Sequence, residues 1–549
     1  MLGIPGPRLA APVGAMLLHA AALAQGGLPP VPVPAGNPIT PQKAILGKLL
    51  FWEEQLSADN RVACGTCHRP EAGGGDPRRA RHPGADGVLL TADDTFGSPG
   101  IVASDASNAY RPGGVFAFGE QVTGRNSPAF LTAAWFTESF WDGRAGSQFV
   151  DPESGLVSLP SGGALENQAV APPRSPIEMA HDLRSWGQIE QKLQNARPMA
   201  LATGVPADMA AAIAVNTTYP ALFQAAFGDP AITADRIARA IATYERTLVA
   251  DQTPWDRFQQ GVTSALTSAQ QSGLAVFNGQ GRCNLCHPPG LFSDGQFRNL
   301  GLRPIAEDAG RQAVTGNIAD RGKWKVPSLR NVGLRSSLMH TGEFQSLGEV
   351  VTFYRSGGGP NLDNKDPLLV PVNLLPIRVQ ELTDFLQNGL TDPRVQNRQF
   401  PFDRPTLLSE RMPATGFVYG TGSAGSGGIV PAVLAAVPAN VGNSEFKIGL
   451  AQAVGGAPAV LLVAAATSPP GTTLFGANLN VDPTTGIALL FAIAQGPVGA
   501  PGQGFTTVLQ ALPADPALAG ITLFAQWGVV DSGIAAGFAS SRGAELRFF

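Results

Sequence analysis

Cys64-Gly-Thr-Cys67-His68 and Cys283-Asn-Leu-Cys286-His287 spend every cysteine of this 549-residue chain on one pattern written twice. C-x-x-C-H is the attachment sequence for a c-type haem. Its two thiols add to the porphyrin vinyl groups as thioethers, and the next residue's imidazole reaches the iron. The spacing sets both sulfurs on one turn and directs the histidine beneath the ring. A Cys₄ zinc site or two short disulfides would also use four thiols. With only six histidines in the chain, either would meet a trailing histidine twice only by chance. The motifs therefore predict two covalently bound haem c groups, with His68 and His287 as iron ligands.

Length and charge bound the rest. A chain this long exceeds one hydrophobic core. Its 38 basic and 42 acidic residues leave a net charge of −4, which argues against nucleic acid as a partner. Residues 1–24 read as a signal peptide: Arg8 gives a positive end, Ala11 to Ala21 is largely apolar, and Ala22-Leu23-Ala24 is an A-x-A cleavage site. No later 18-residue apolar stretch is free of Gly or Pro, so no transmembrane span is expected. Covalent haem attachment outside the cytoplasm agrees with an exported, periplasmic protein cleaved near Ala24.

The chain divides into three textures. Residues 25–263 alternate helical pieces with Gly/Pro-rich loops. Thr40-Pro41 is a cap and first turn for a helix carrying Ile45, Leu46, Leu49 and Leu50. Residues 264–401 open on Ser268-Ala-Gln-Gln271, a capping-box match followed by Leu274 and Phe277. Gly47-Lys-Leu-Leu-Phe51 before the first motif is echoed by Gly273-Leu-Ala-Val-Phe277 before the second, as in a duplicated helix-plus-haem unit. Residues 402–549 differ: from Pro413 onward there are eight charged residues and no Cys or His. Stretches such as Ala459-Val-Leu-Leu-Val463 and Ile521-Thr-Leu-Phe524 lie between turn residues. The expected fold class is mainly α, two cytochrome c-like haem domains followed by a C-terminal all-β, sandwich-like domain. The tail carries no candidate for chemistry. It is expected to dock to a surface or partner and to be removable without loss of the chemistry.

Further stretches occur in fixed order: Leu46-Gly-Lys-Leu-Leu-Phe51, Gly124-Arg-Asn-Ser-Pro128, Phe140-Trp-Asp-Gly-Arg-Ala145, Pro176-Ile-Glu-Met179, Lys325-Val-Pro-Ser-Leu-Arg-Asn331, Met339-His-Thr-Gly342 and Glu349-Val-Val-Thr-Phe-Tyr354. From about residue 40 to 395 this set resembles the bacterial di-haem cytochrome c peroxidase family, which includes MauG-type enzymes. The resemblance implies that peroxide meets the first haem and that the second is the site of electron entry or storage.

It also implies residue roles. Peroxide cleavage needs a group that takes a proton from one oxygen and delivers one to the other. In the family that group is a Glu ten residues after a Gln, here Glu178 and Gln168, though Glu178 also fits a helix-entry acid. Trp141 corresponds to the family's tryptophan between the haems, an electron relay, or else is a plain core residue. About seventeen extra residues, including Pro152 to Gly163, separate Trp141 from Gln168. They form either a surface excursion or part of the distal pocket. Tyr354 stands where ordinary cytochrome c peroxidases have a ligating Met, as in MauG-type enzymes. It shares a helix face with Leu347, Val350 and Val351, so a buried aromatic is the alternative. A phenolate ligand would lower the second haem's potential.

His82 is a candidate ligand of the first haem or a solvated loop histidine, His181 reads as a surface helix residue, and His340 as a hydrogen-bonding neighbour of the second haem. One Ca²⁺ is implied, on the Asn126 side chain and the carbonyls of Arg335 and Ser337. Asp86, Asp93 and Asp94 form either a second calcium loop or a polar turn. The leading expectation is reduction of hydrogen peroxide to water with electrons from a small donor protein such as cytochrome c or a cupredoxin. The alternatives are a MauG-type oxidase that modifies a protein substrate through high-valent iron, and a di-haem electron carrier without catalysis.

Overall fold

A computed structural model describes residues 27–549 of the chain. The leader read over residues 1–24 lies outside the described residues. Seven helices position the site: α1 (Pro41–Phe51), α2 (Cys64–Cys67), α3 (Ala164–Ala169), α4 (Ala234–Thr247), α5 (Ser268–Asn278), α6 (Leu347–Arg355) and α7 (Pro376–Asp384). The hydroxyl of Thr40 accepts from the Lys43 amide to cap α1, and Pro41 takes the first turn. The cap of α5 is Thr267 with Gln270, one residue ahead of the expected Ser268–Gln271 pair. Thr267-Ser-Ala-Gln270 has the same box form, and Thr267 takes the extended conformation the cap needs.

Two glycine crossings bring the helices together. A Cβ on Gly47 of α1 would stand 1.8 Å from the Ala240 carbonyl oxygen of α4. One on Gly273 of α5 would stand 2.1 Å from the Glu381 carbonyl oxygen of α7. Only glycine permits either approach. Beyond each crossing an aromatic pair meets edge-on: Phe51 with Tyr244 at 5.4 Å, and Phe277 with Phe385 at 5.8 Å. The short sequence echo is thus a repeat in three dimensions. It equates Tyr244 with Phe385, and therefore Glu245 with Leu386.

Each crossing anchors a buried cluster. The first holds Leu46, Leu50, Trp52, Ile241 and Tyr244, and is completed by Val395 from the end of the second module and by Phe402 and Leu407 beyond it. The second holds Trp255, Phe277, Phe292, Leu382 and Phe385. No helix among the described residues is long and apolar enough to cross a membrane.

The tail forms β1 (Phe417–Tyr419), β2 (Ala432–Leu434), β3 (Lys447–Ala453), β4 (Pro458–Ala464), β5 (Gly486–Ile493), β6 (Gly504–Leu509), β7 (Thr522–Val530) and β8 (Phe538–Arg547). They make two antiparallel sheets, ordered β5-β4-β7-β8-β1 and β2-β3-β6. Alternation along β4 and β7 sends Leu461, Ala525, Trp527 and Val529 into a core shared with Ile448 and Leu450 of the other sheet. The Trp527 indole N–H bridges the sheets, donating to the Gly449 carbonyl at 2.9 Å. Tyr110, from the first haem region, completes this core.

Candidate active site

The first motif is one helical turn. α2 carries Cys64 and Cys67, and His68 follows at its end, its amide bonded to the Cys64 carbonyl. Gly65 lies against the face of Trp52, where a Cβ would come within 2.2 Å of the ring. The His68 Nδ1 sits 3.2 Å from the Gly74 carbonyl oxygen, presented by a turn in which Gly73 and Gly74 have φ of +63° and +79°. The second motif repeats this device: His287 Nδ1 sits 2.8 Å from the Phe292 carbonyl oxygen. A carbonyl only accepts, so Nδ1 carries the proton in both rings and Nε2 keeps its lone pair free for a metal. Burial pushes both imidazoles below the usual histidine range, which keeps them neutral as ligands must be.

All four cysteines are free and half-buried. Burial pushes their thiols up, Cys67 and Cys283 to about 12. At Cys64 the neighbouring acids Glu245 and Glu178 add to the rise, and at Cys67 Asp76 and Glu178 do.

A cavity at the second motif, partly open to solvent, is lined by Cys283, Cys286 and His287, with Phe277, Leu300, Val326, Leu338 and Leu386 among its mostly apolar walls. Thiols, a proton-anchored histidine and apolar walls fit a thioether-bound haem. All four residues of the expected α6 face, Leu347, Val350, Val351 and Tyr354, line the same cavity. The capping box Ser346–Glu349 opens that helix as expected. Burial and the two thiols push the Tyr354 phenol up, so only a strong cation would draw off its proton.

The cavity at the first motif, the first cavity in chain order, holds His68, Trp141, Gln168 and Glu245. Trp141, Lys325 and Pro327 line both cavities. The Trp141 indole is fixed between them, its N–H donating to the Asn126 carbonyl at 2.7 Å. The repeat pairs Phe140-Trp141 with Met339-His340: Phe140 and Met339 both have positive φ, 67° and 65°. The rings of Trp141 and His340 meet edge-on at 6.3 Å, and His340 stacks on Trp324 at 4.0 Å. Burial pushes the His340 imidazole down to about 3.

Gln168 sits on α3 facing the first cavity, whereas Glu178 is not in that cavity's lining. Glu178 instead approaches the two thiols from a segment pinned by the Ile101 amide on the Ile177 carbonyl and the Ala58 amide on the Met179 carbonyl. Burial pushes its carboxyl above the ordinary range, against its bond to Ser175 and the charge of Arg144. The extra residues after Trp141 form a hairpin of Phe149–Val150 with Val157–Leu159. It docks on the start of α4, where Glu153 accepts from the Ala234 amide. It is a surface excursion.

Four expectations are corrected or narrowed. His181 is not a surface helix residue: it is 2% exposed, in a turn beside Arg184 and Glu445, because the tail covers it. His82 lies on a short strand and lines a polar cleft with Asp93, Arg125 and His340, apart from the first cavity. Asp93 accepts from the amides of Ala85 and Asp86, and one oxygen of Asp94 accepts from the Leu90 amide and Arg81, a polar turn in which the other Asp94 oxygen is buried without a partner. The Asn126 amide reaches the Ser337 and Met339 carbonyls at 2.9 and 3.0 Å, with Met339 in the place expected of Arg335.

Two residues escaped the sequence reading. Glu245 is 7% exposed, with one carboxylate oxygen buried and unpartnered, and burial pushes it up to about 8. An acid on the buried face of α4, where the repeat has Leu386, is the signal that could have found it. Lys325, pushed down to about 8 by burial, donates to the Glu138 carbonyl at 2.8 Å between the two cavities. An amine there is placed to neutralise a carboxylate of a bound group.

Comparison with known proteins agrees with this geometry. A family model described as di-haem cytochrome c peroxidase matches residues 41–264. Methylamine utilization protein MauG of Methylophilus methylotrophus is 30% identical over 330 residues, 59% of this chain and 76% of that one. MauG of Methylorubrum extorquens is 31% identical over 331 residues, covering 60% and 72%. Cytochrome-c peroxidase IdrP1 of Pseudomonas sp. (strain SCT) is 29% identical over 419 residues, covering 70% and 89%.

Proposed function

The chain belongs to the di-haem cytochrome c peroxidase family and is an oxidoreductase of that kind; from this premise we propose that it reduces hydrogen peroxide to water with electrons from a small soluble donor. One observation carries the reading: the two cavities are chemically unequal. The first joins a free-Nε2 histidine to Gln168 and the buried acid Glu245, with Glu178 beside its thiols. The only carboxylate lining the second, Asp366, is tied to Arg298 at 2.9 Å. Proton handling therefore belongs to the first site.

Haem, when bound, supplies the iron that polarises the peroxide bond and passes on electrons. The chain's part is to manage protons. The reaction consumes two electrons and two protons for each peroxide and releases two waters. A carboxyl raised by burial holds a proton more readily than a free one, so it can take a proton from one oxygen and return it to the other. Glu178 fills that role and Gln168 orients the substrate by hydrogen bonding. Trp141 spans the path between the sites. Glu178→Gln should lower turnover at least 100-fold while both haems remain attached. An unchanged rate would clear Glu178.

Tyr354 favours a second reading, a MauG-type oxidase acting on a protein. It lines the cavity of the second motif, where a phenolate would lower the potential. For calcium, the support is the convergence of Asn126 with the Ser337 and Met339 carbonyls, where turning the amide over would present three oxygens to one point. Export to the periplasm is supported by the leader and by four thiols committed to haem.

A further inference from the structure

We propose that the outer face of the tail's five-stranded sheet is a two-fold interface with a second copy of this chain. β5 is the edge strand of that sheet, bonded only to β4 within it. Its outward side chains Ile487, Leu489, Phe491 and Ile493 are 59, 58, 80 and 70% exposed. These four form a ridge. Beside the ridge runs a groove with Val460, Leu462 and Gly528 on its floor and Phe475, itself 70% exposed, on the far wall. Soluble proteins blunt an edge of this kind with charges, a proline or a bulge that turns it away. β5 carries neither a charge nor a proline, and its one register shift lies at its first residues, Gly486 to Ala488, leaving Leu489, Phe491 and Ile493 in regular pairing.

Charge says what covers this face. Between Lys447 and Asp515 the sole charged residue is Asp482, and no basic residue occurs from 448 to 541. A lipid surface is normally met by Lys or Arg around the apolar residues, whereas here the sheet's bases, Arg542 and Arg547, stand on β8, three strands from the ridge, and Arg547 is paired with Glu545. A charged protein partner would strip water from its own ions with no counter-charge opposite. A second copy of the same neutral face carries neither cost. A two-fold axis through the face lays each ridge in the other copy's groove, so the surface is complementary to itself. The ridge with Leu474 and Phe475 offers roughly 600 Å² of apolar side chain per copy before the groove floor is counted, against about 800 Å² per partner in a standard interface.

The test uses the full-length di-haem protein. Light scattering should give twice the chain mass at micromolar concentration, and Leu489→Lys with Phe491→Asp should give the single mass. Both positions are exposed, so circular dichroism, haem content and peroxide turnover should match the parent. Hydroxyl-radical labelling of Phe475 and Phe491 should fall as protein concentration rises. Three results would overturn the proposal: a parent that stays monomeric, a dimer that survives both substitutions, or a monomer that co-sediments with phosphatidylcholine vesicles through this face.

Discussion

Glu245 and Leu386 occupy equivalent places in the repeated helix crossing, yet one is an acid and the other a hydrocarbon. Burying the acid without a partner for one oxygen costs free energy, which burial expresses by raising the carboxyl from 4.5 to about 8. Arg246 offsets part of this rise, and Glu166 adds to it. Between those two pH values the folded chain holds a proton that the unfolded chain has released. Stability must therefore fall as pH climbs from about 4.5 to about 8. Glu245→Gln should remove that slope, leaving the variant more stable than the parent at pH 9 by on the order of 5 kcal/mol. Urea midpoints at pH 5, 7 and 9 measure it, and parallel slopes would mean that native Glu245 is already ionised. Tyr354→Phe probes the other cavity. If the phenolate ligates, its loss should raise the second haem's reduction potential and change its low-spin spectrum, and an unmoved potential would leave Tyr354 a buried aromatic.

At the scale of elements, the crossings make the sharpest demand. Gly47→Ala drives a methyl into the Ala240 carbonyl and the Tyr244 side chain. The helices must part, at a cost of about 3 kcal/mol or more, and the first haem should be incorporated poorly. Gly187, in the helix Trp186–Asn195, is the contrast: its nearest neighbour to a new Cβ is the Ser185 hydroxyl at 3.9 Å. Gly187→Ala should stabilise by about 0.5 kcal/mol through helix propensity. Thermal melts of the two variants decide whether space or backbone freedom governs each glycine. These elements were largely legible in the sequence. Thr40-Pro41, the Ser346–Glu349 box and the turn-punctuated tail are local signals, and each folds as read. The identity of each crossing partner was not legible, because Ala240 lies 193 positions from Gly47 and no local pattern encodes that contact. The same reason hid Glu245, and it hid the burial of His181, whose cover comes from Glu445 far along the chain.

On the scale of the whole molecule, the tail is more than an appendage. Glu445 pairs with Lys192 and lies 3.6 Å from Arg184, both buried in the first haem region. Burial pushes the Glu445 carboxyl up, but these two cations outweigh it and hold it below the ordinary range. The Lys447 amine reaches across to Ser104 and to both oxygens of Asn108. Arg61, three residues before Cys64, donates to the carbonyls of Pro413, Ala414 and Ala436. With no candidate for chemistry in its sequence, the tail is expected to be removable. The contacts argue otherwise, since they brace the segment that leads into the first haem motif. Glu445→Leu keeps the tail folded but leaves two buried cations without their acid, a loss of about 3–5 kcal/mol. Deleting residues 413–549 also uncovers Tyr110, whose ring packs in the tail's core. Both changes should act on the first haem and spare the second, whose cluster contains no tail residue. Electron paramagnetic resonance resolves the two irons separately. Signals that broaden or vanish at the first site alone are expected, and a truncated protein with both signals intact would return the tail to the status of a passenger.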